Sequence, residues 1–157
     1  MNEHVIRPAI GYGNLVLGVD RAVVRARFGD PNSVKVDDWG DGVVQERWCY
    51  RSHQIELDFD SDDEGRLSGI NVFSPLAHIG GRELIGMQEP VFLDGFRRAG
   101  IDDIILEDDM EGTDCRQYSS ERWNLSCWVT MGELESITVW PLYDETGDIP
   151  QWPSSGG

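Results

Sequence analysis

The chain has 157 residues, of which 29 are acidic and 13 basic, so its formal net charge is −16 at pH 7. This length fits one domain or two small halves that share a core. Direct binding to a nucleic-acid backbone needs a positively charged surface. No segment of the sequence reaches the run of about 18 apolar residues that spans a membrane. The composition therefore argues against nucleic-acid and membrane functions. Its negative charge either favours a basic protein partner or serves solubility alone.

Cysteine usage and the N-terminal residues both bear on the cellular compartment. Cys49, Cys115 and Cys127 are an odd number of cysteines without metal-ligand spacing. The first residues lack a basic region followed by an apolar stretch, so no secretory signal is predicted. We therefore expect free thiols and a cytoplasmic protein.

The first predicted element is a helix over residues 21–28, with Asp20 as its N-cap and Gly29 as its stop. Three strands follow it, predicted over residues 43–50, 54–60 and 67–73. The second of these strands alternates regularly between apolar and polar residues. Its aliphatic side chains are therefore expected to face a core, and its acids, which include Glu56 and Asp58, are expected to face outward.

The second half of the chain follows a similar order of elements. A helix is predicted over residues 89–99, with Pro90 in its first turn and Gly100 after its end. Residues 101–114 are acidic and include a short predicted strand at 104–106. Three further strands are predicted over residues 116–119, 123–130 and 134–140. A tail rich in proline, glycine and serine closes the chain.

The two halves match at an offset of 67 to 68 residues, which places Val24 on Phe92 and Ile70 on Ile137. We therefore predict an α+β fold, a tandem repeat of helix plus antiparallel β-sheet in which the two sheets are continuous or abutting. The predicted division is an N-terminal extension over 1–14, a first repeat over 15–75, a second repeat over 76–143 and a C-terminal tail over 144–157.

The sequence contains no residue arrangement typical of a catalytic or metal site. His4, His53 and His78 fall in predicted loops without the partners of a nucleophile or metal motif. Residues 60–65 resemble the start of a calcium loop, but the twelfth position of that loop is Asn71 where the motif requires glutamate. We therefore predict a non-enzymatic protein without a cofactor or metal.

The outward face of the predicted sheet combines aromatic and acidic residues. Such a composition is typical of a protein interface with aromatic anchors and a charged rim. The alternative is that the rings pack on one another, on loops or on a second copy of the chain. The candidate partner-binding residues are Glu56, Asp58, Phe73, Glu107, Asp108, Asp109, Glu111, Trp128 and Trp140.

A recurring order of short motifs carries a resemblance to a known architecture. The motifs lie at Gly18-Val19, Gly29-Asp30-Pro31, residues 55–60 and residues 67–73, and again at Gly86-Met87 and residues 134–141. This order resembles one repeat of the β-lactamase inhibitory protein, whose tandem helix-plus-sheet units grip an enzyme with a concave sheet. The chain is also similar to small acidic bacterial immunity proteins that neutralise antibacterial toxins. The resemblance implies an inhibitory role toward another protein.

We therefore hypothesise a non-catalytic acidic binding protein, an immunity protein that occludes a cognate toxin with a basic surface. Two alternatives stay open: a small cytosolic enzyme or ligand-binding domain with an acidic pocket, and a homo-oligomeric structural subunit. A homodimer is compatible with the first hypothesis. A stoichiometric partner without turnover distinguishes the first hypothesis, whereas an enzyme needs a concave site with perturbed titratable groups.

Overall fold

The computed structural model describes residues 3–38, 40, 42–147 and 149–153. Within these ranges the chain forms two α-helices and fifteen strands, many of them very short. In chain order the elements are β1 Ile6–Arg7, β2 Gly11–Tyr12, β3 Leu15–Val16, α1 Arg21–Phe28, β4 Ser33–Asp38, β5 Val44–Tyr50, β6 Ile55–Asp60, β7 Leu67–Val72, β8 His78–Ile79, β9 Arg82–Glu83, α2 Glu89–Arg98, β10 Ile105–Asp109, β11 Cys115–Ser120, β12 Leu125–Thr130, β13 Glu133–Val139, β14 Leu142–Tyr143 and β15 Pro150–Gln151.

Eight strands form one antiparallel sheet in the order β10-β11-β12-β13-β7-β6-β5-β4. Consecutive strands are neighbours on each side of its centre, and the two runs meet where β7 pairs with β13. Three residue pairs lie opposite one another at this junction, namely Ile70 with Val139, Asn71 with Thr138 and Val72 with Ile137. The remaining short strands form small separate sheets at β1–β3, β8–β9 and β14–β15.

The fold is mainly β, and the predicted α+β class with tandem helix-plus-sheet repeats was wrong. Helices α1 and α2 have only eight and ten residues. The fifteen strands contain far more residues than these two helices, and eight of the strands form one large sheet. Matches between apolar and glycine positions indicate the order of elements but do not give the proportion of helix to strand. The predicted division of the chain into four segments stays a prediction.

Most individual elements lie where the sequence predicts them. The helix over residues 21–28 is confirmed, and α2 ends one residue before its predicted end. The short strand predicted at 104–106 extends as β10 over Ile105–Asp109. Strand β4 was not predicted, because it has exposed side chains on both faces and only Val34 and Val36 alternate within it.

One face of the eight-stranded sheet is apolar and builds the core. A buried row crosses five strands through successive pairings and consists of Trp48, Leu57, Ile70, Val139 and Leu125. Val24 of α1 and Phe92 of α2 are fully buried in the same cluster. Both helices carry arginines in their last turn, where positive charge interacts favourably with the helix dipole.

The three cysteines differ in accessibility, and this difference predicts their reactivity. All three are free thiols, with Cys127 buried and Cys49 and Cys115 half-buried. Burial raises the pKa of the Cys127 thiol, and the thiolate is the reactive form. We expect a chromogenic disulfide reagent to modify Cys49 and Cys115 in the native protein and Cys127 only after unfolding. Rapid native modification of Cys127, identified by peptide mass, would contradict this burial.

Candidate protein-binding face

The face of the sheet opposite the core, called here the outer face, is polar with aromatic residues. Because side chains alternate along a strand, its members interleave with those of the buried row. The outer face comprises Arg47, Glu56, Asp58, Asn71, Phe73, Ser126, Trp128, Thr138 and Trp140. The sequence predicted the outward direction of Trp128 correctly, since the burial of β12 alternates strictly, and that of Glu56, which is half-buried between two buried neighbours.

A continuous chain of hydrogen bonds, called here the polar ladder, crosses five adjacent strands of the outer face. Arg47 donates to Asp58 twice, from Nε to Oδ1 at 2.7 Å and from Nη2 to Oδ2 at 3.1 Å. Asn71 Nδ2 donates to Asp58 Oδ2 at 3.0 Å, and Thr138 Oγ1 donates to Asn71 Oδ1 at 2.8 Å. Trp128 Nε1 then donates to Thr138 Oγ1 at 3.2 Å. The ladder thus connects a charged pair on β6 to an aromatic ring on β12.

Asp58 is the central residue of the polar ladder. Its side chain is 0% exposed, and it is compensated by the half-buried Arg47. The hydrogen bond from Arg47 to Asp58 raises the pKa of the arginine further above its usual value. The alternating pattern predicted the direction of Asp58 but not its enclosure, which depends on neighbouring strands. Its carboxylate is therefore used inside the protein, where it fixes Arg47 and Asn71.

Trp140 lies against the neighbouring strand at Gly69. A Cβ atom at position 69 would lie 2.8 Å from Trp140 Cζ3 and 3.1 Å from Asp58 Oδ2. The indole Nε1 donates to Ser126 Oγ at 3.4 Å. Both outer-face tryptophans are half-buried and hydrogen-bonded. Their rings are therefore held in place before any partner binds.

Gly69→Ala tests the packing of Trp140. The added methyl group must displace the ring or Asp58, and we expect a loss of stability of about 1–2 kcal/mol together with a shifted tryptophan emission spectrum. Chemical denaturation followed by fluorescence measures both effects. Ser126→Ala is the matched control, because it removes the indole hydrogen bond without adding volume. Unchanged stability and emission in Gly69→Ala would show that the ring does not rest on this glycine.

The remaining predicted residues lie at the edges of the outer face. The Glu56 side chain is 29% exposed, and its Oε1 lies 4.0 Å from Arg47 Nη1. Phe73 is half-buried just beyond β7. The acidic group is found on strand β10 and the turn after it, and consists of Glu107, Asp108, Asp109 and Glu111. The structure therefore separates the predicted site into an aromatic face and an acidic sheet edge.

An acidic cleft of about 470 Å³ lies beside α2 and β11. Its carboxylates surround Arg116, whose Nη1 lies 3.0 Å from Glu89 Oε1 and whose Nε lies 3.3 Å from Asp109 Oδ1. The negative charge of Glu89 raises the pKa of Arg116. Tyr118 also donates to Glu89 Oε2 at 2.7 Å. This arginine therefore offsets part of the negative charge of the cleft.

The acidic turn between β6 and β7 is anchored by a tyrosine from the C-terminal region. Ser61–Asp63 form a short 3-10 helix, and Tyr143 Oη donates to Asp63 Oδ2 at 3.2 Å. Burial raises the pKa of the Asp63 carboxyl group.

Over the residues with a described position, no cluster of three or more histidine, cysteine, aspartate or glutamate side chains is placed to hold a metal ion.

Asp63→Asn is expected to stabilise the protein at pH 7. The folded-state pKa of Asp63 is raised, so the protonated carboxyl group adds to the free energy of unfolding at acidic pH. This added stability is lost as the pH rises through the folded-state pKa. Asparagine removes the ionised form and keeps an oxygen that accepts from Tyr143. Thermal melts between pH 4 and pH 7 should show the largest gain at pH 7. A lower melting temperature at pH 7 would mean that the carboxylate charge is needed.

No helix in the described part of the chain is long and apolar enough to cross a membrane.

Comparisons with known proteins give little beyond the fold: no family model matches the chain, and no curated protein matches its sequence. One similar solved structure is an extracellular protein containing an SCP domain from Bacillus anthracis strain Ames. It shares 16% identity at a TM-score of 0.50, over 83% of this chain and 45% of that protein. The likeness concerns the fold alone and spans less than half of that protein.

Proposed function

We propose that this chain is a non-catalytic binding protein that neutralises a basic protein toxin by covering it with the outer face. The observation that carries the proposal is the pair of half-exposed tryptophans, fixed by the polar ladder and by Gly69, on a chain with a net charge of −16. Ordered aromatic side chains are frequent energetic centres of interfaces. An immunity role in the bacterial cytoplasm fits such a surface and the free thiols.

Pre-organisation is the physical reason that this face suits a tight inhibitor. Immobilising a side chain on binding costs about 0.5–1.5 kcal/mol when the free side chain is mobile. Trp128 and Trp140 are already held by hydrogen bonds, so less of that cost arises when they bind. Glu56 and Phe73 at the border of the face can complete a rim that excludes water around the rings.

The test of this function is the isolation of a stoichiometric complex. The tagged protein is purified from its native cell together with the product of any toxin gene adjacent to its own, and the mass of the complex is measured by light scattering. We expect a complex of defined stoichiometry in which the toxin is inactive and chemically unchanged. A chemically modified toxin would indicate an enzyme, and a larger mass without a second protein would indicate a homo-oligomer.

The acids of β10 and the following turn are expected to act mainly on the rate of association. Neutralising Glu107, Asp108, Asp109 and Glu111 to their amides should lower the on-rate by about tenfold at low salt and reduce its salt dependence. The off-rate should change less than the on-rate, because these exposed charges lie at the border of the complex and are partly screened. Stopped-flow binding at two ionic strengths measures both rates. An off-rate change larger than the on-rate change would place these acids within the interface centre.

A further inference from the structure

Strand β10 forms an open edge of the eight-stranded sheet. Among the described strands it pairs only with β11. All five of its residues are exposed, including Ile105 at 60% and Leu106 at 47%. An exposed edge strand presents unpaired backbone groups that can accept a strand from another chain.

The side chains of β10 are placed to contact an added strand on both faces. Ile105 pairs with Ser119, and Ser119 pairs in turn with Ser126 of the outer face. Leu106 pairs with Tyr118, which belongs to the core side. One exposed aliphatic residue therefore flanks the edge on each face of the sheet. A register shift between Leu106 and Asp108 limits regular pairing to a short segment, so backbone bonds alone would hold an added strand weakly.

Charge distinguishes β10 from the opposite edge of the sheet. Strand β4 carries Lys35 at its centre, and a lysine on an edge strand opposes the approach of another strand. Strand β10 carries three consecutive acids and no basic residue. Asp109 pairs with Arg116 and Glu107 accepts from Ser119. The side chain of Asp108 forms neither a hydrogen bond nor an ion pair within the described part of the chain.

We propose that β10 accepts an extended, lysine- or arginine-bearing segment of the partner protein as a ninth strand. This inference rests on the binding function proposed above and adds how the backbone of the partner is held. Because side chains of an added strand alternate between the two faces, its basic residues can meet Asp108 on the outer face while its aliphatic residues meet Leu106 on the core side. A second copy of this chain fits the edge poorly, because two β10 strands would place like charges opposite one another.

The probe for this edge is the capped hexapeptide acetyl-Val-Lys-Val-Lys-Val-Lys-amide, titrated into the full-length protein and followed by amide NMR. We expect shift changes centred on β10 and slower amide exchange there. The same peptide with alternate N-methyl groups keeps its charge but loses the ladder, so it should bind about tenfold more weakly. Asp108→Lys should also weaken binding about tenfold, whereas Asp38→Lys on β4 makes the same charge change and should alter it less than about twofold.

Three results would overturn the edge assignment: equal binding of the N-methylated peptide, shifts centred on β4, or no binding at millimolar peptide. Self-association of the free protein through β10, seen as a concentration-dependent mass that Asp108→Lys abolishes, would replace the partner segment by a second copy. The peptide result is separate from the outer-face function. If the toxin complex forms and needs the tryptophans while the peptide fails, the function stands and the strand addition is rejected.

Discussion

Replacing Asp58 with alanine is expected to destabilise the protein by about 3 kcal/mol. The substitution removes the acceptor of two Arg47 hydrogen bonds and one from Asn71. It leaves a half-buried guanidinium without its counter-charge and an amide without one partner. Because Thr138 and Trp128 are bonded in series with Asn71, the orientation of the Trp128 ring should also loosen. Urea denaturation followed by tryptophan fluorescence measures both effects.

Two variants calibrate the Asp58 result. Asp58→Asn keeps the shape and part of the hydrogen bonding, so its loss should lie between wild type and Asp58→Ala. Glu56→Ala removes a half-exposed carboxylate 4.0 Å from the same arginine, and such a weak ion pair should contribute less than about 1 kcal/mol. Equal stabilities of Asp58→Ala and Glu56→Ala would show that the buried pair does not organise the outer face.

Trp128→Ala and Trp140→Ala are each expected to weaken partner binding by about 2 kcal/mol or more, which is about 30-fold in the dissociation constant. Each truncation removes a large ring that is ordered before binding. Both rings are half-buried on the outer face and outside the core cluster, so the fold should persist with a smaller loss of stability. Calorimetric binding and thermal unfolding on the same samples separate the two effects.

Trp123 supplies the matched control for these substitutions. It packs against the core cluster and is absent from the outer face. Trp123→Ala should therefore lower stability while leaving the intrinsic affinity for the partner near that of wild type. If Trp128→Ala and Trp140→Ala instead lose stability and keep binding, these rings only hold the fold and the interface lies elsewhere.

Local patterns predicted local structure well in this chain. The alternation within β6 and β12 identified which side chains face the core, because a period of two is a direct property of a strand. The helix over residues 21–28 was predicted by its flanking Asp20 and Gly29. The fold class was not predicted, because a repeated order of elements says little about the proportion of helix to strand. Strand β4 escaped prediction because an exposed edge needs no apolar face.

The candidate site was only partly accessible to sequence reasoning. The outward positions of Trp128 and Trp140 and the exposed acidic run were predicted from residue types and strand positions, and their role in binding stays a prediction. The polar ladder was missed because it joins residues such as Asn71 and Thr138, which lie 67 positions apart and meet only in the register of β7 with β13. The burial of Asp58 was missed for the same reason. The one signal of this burial in the sequence was Gly69, because a small residue on the adjacent strand leaves room to enclose a polar side chain such as Asp58.

The most direct measurement of the central claim is growth rescue in a bacterium that expresses the cognate toxin. Wild-type protein, expressed in the same cell, is predicted to restore growth. The double variant Trp128→Ala with Trp140→Ala, at equal abundance and with a retained melting transition, is predicted to fail. Full rescue by that folded double variant would contradict a neutralising role for the outer face.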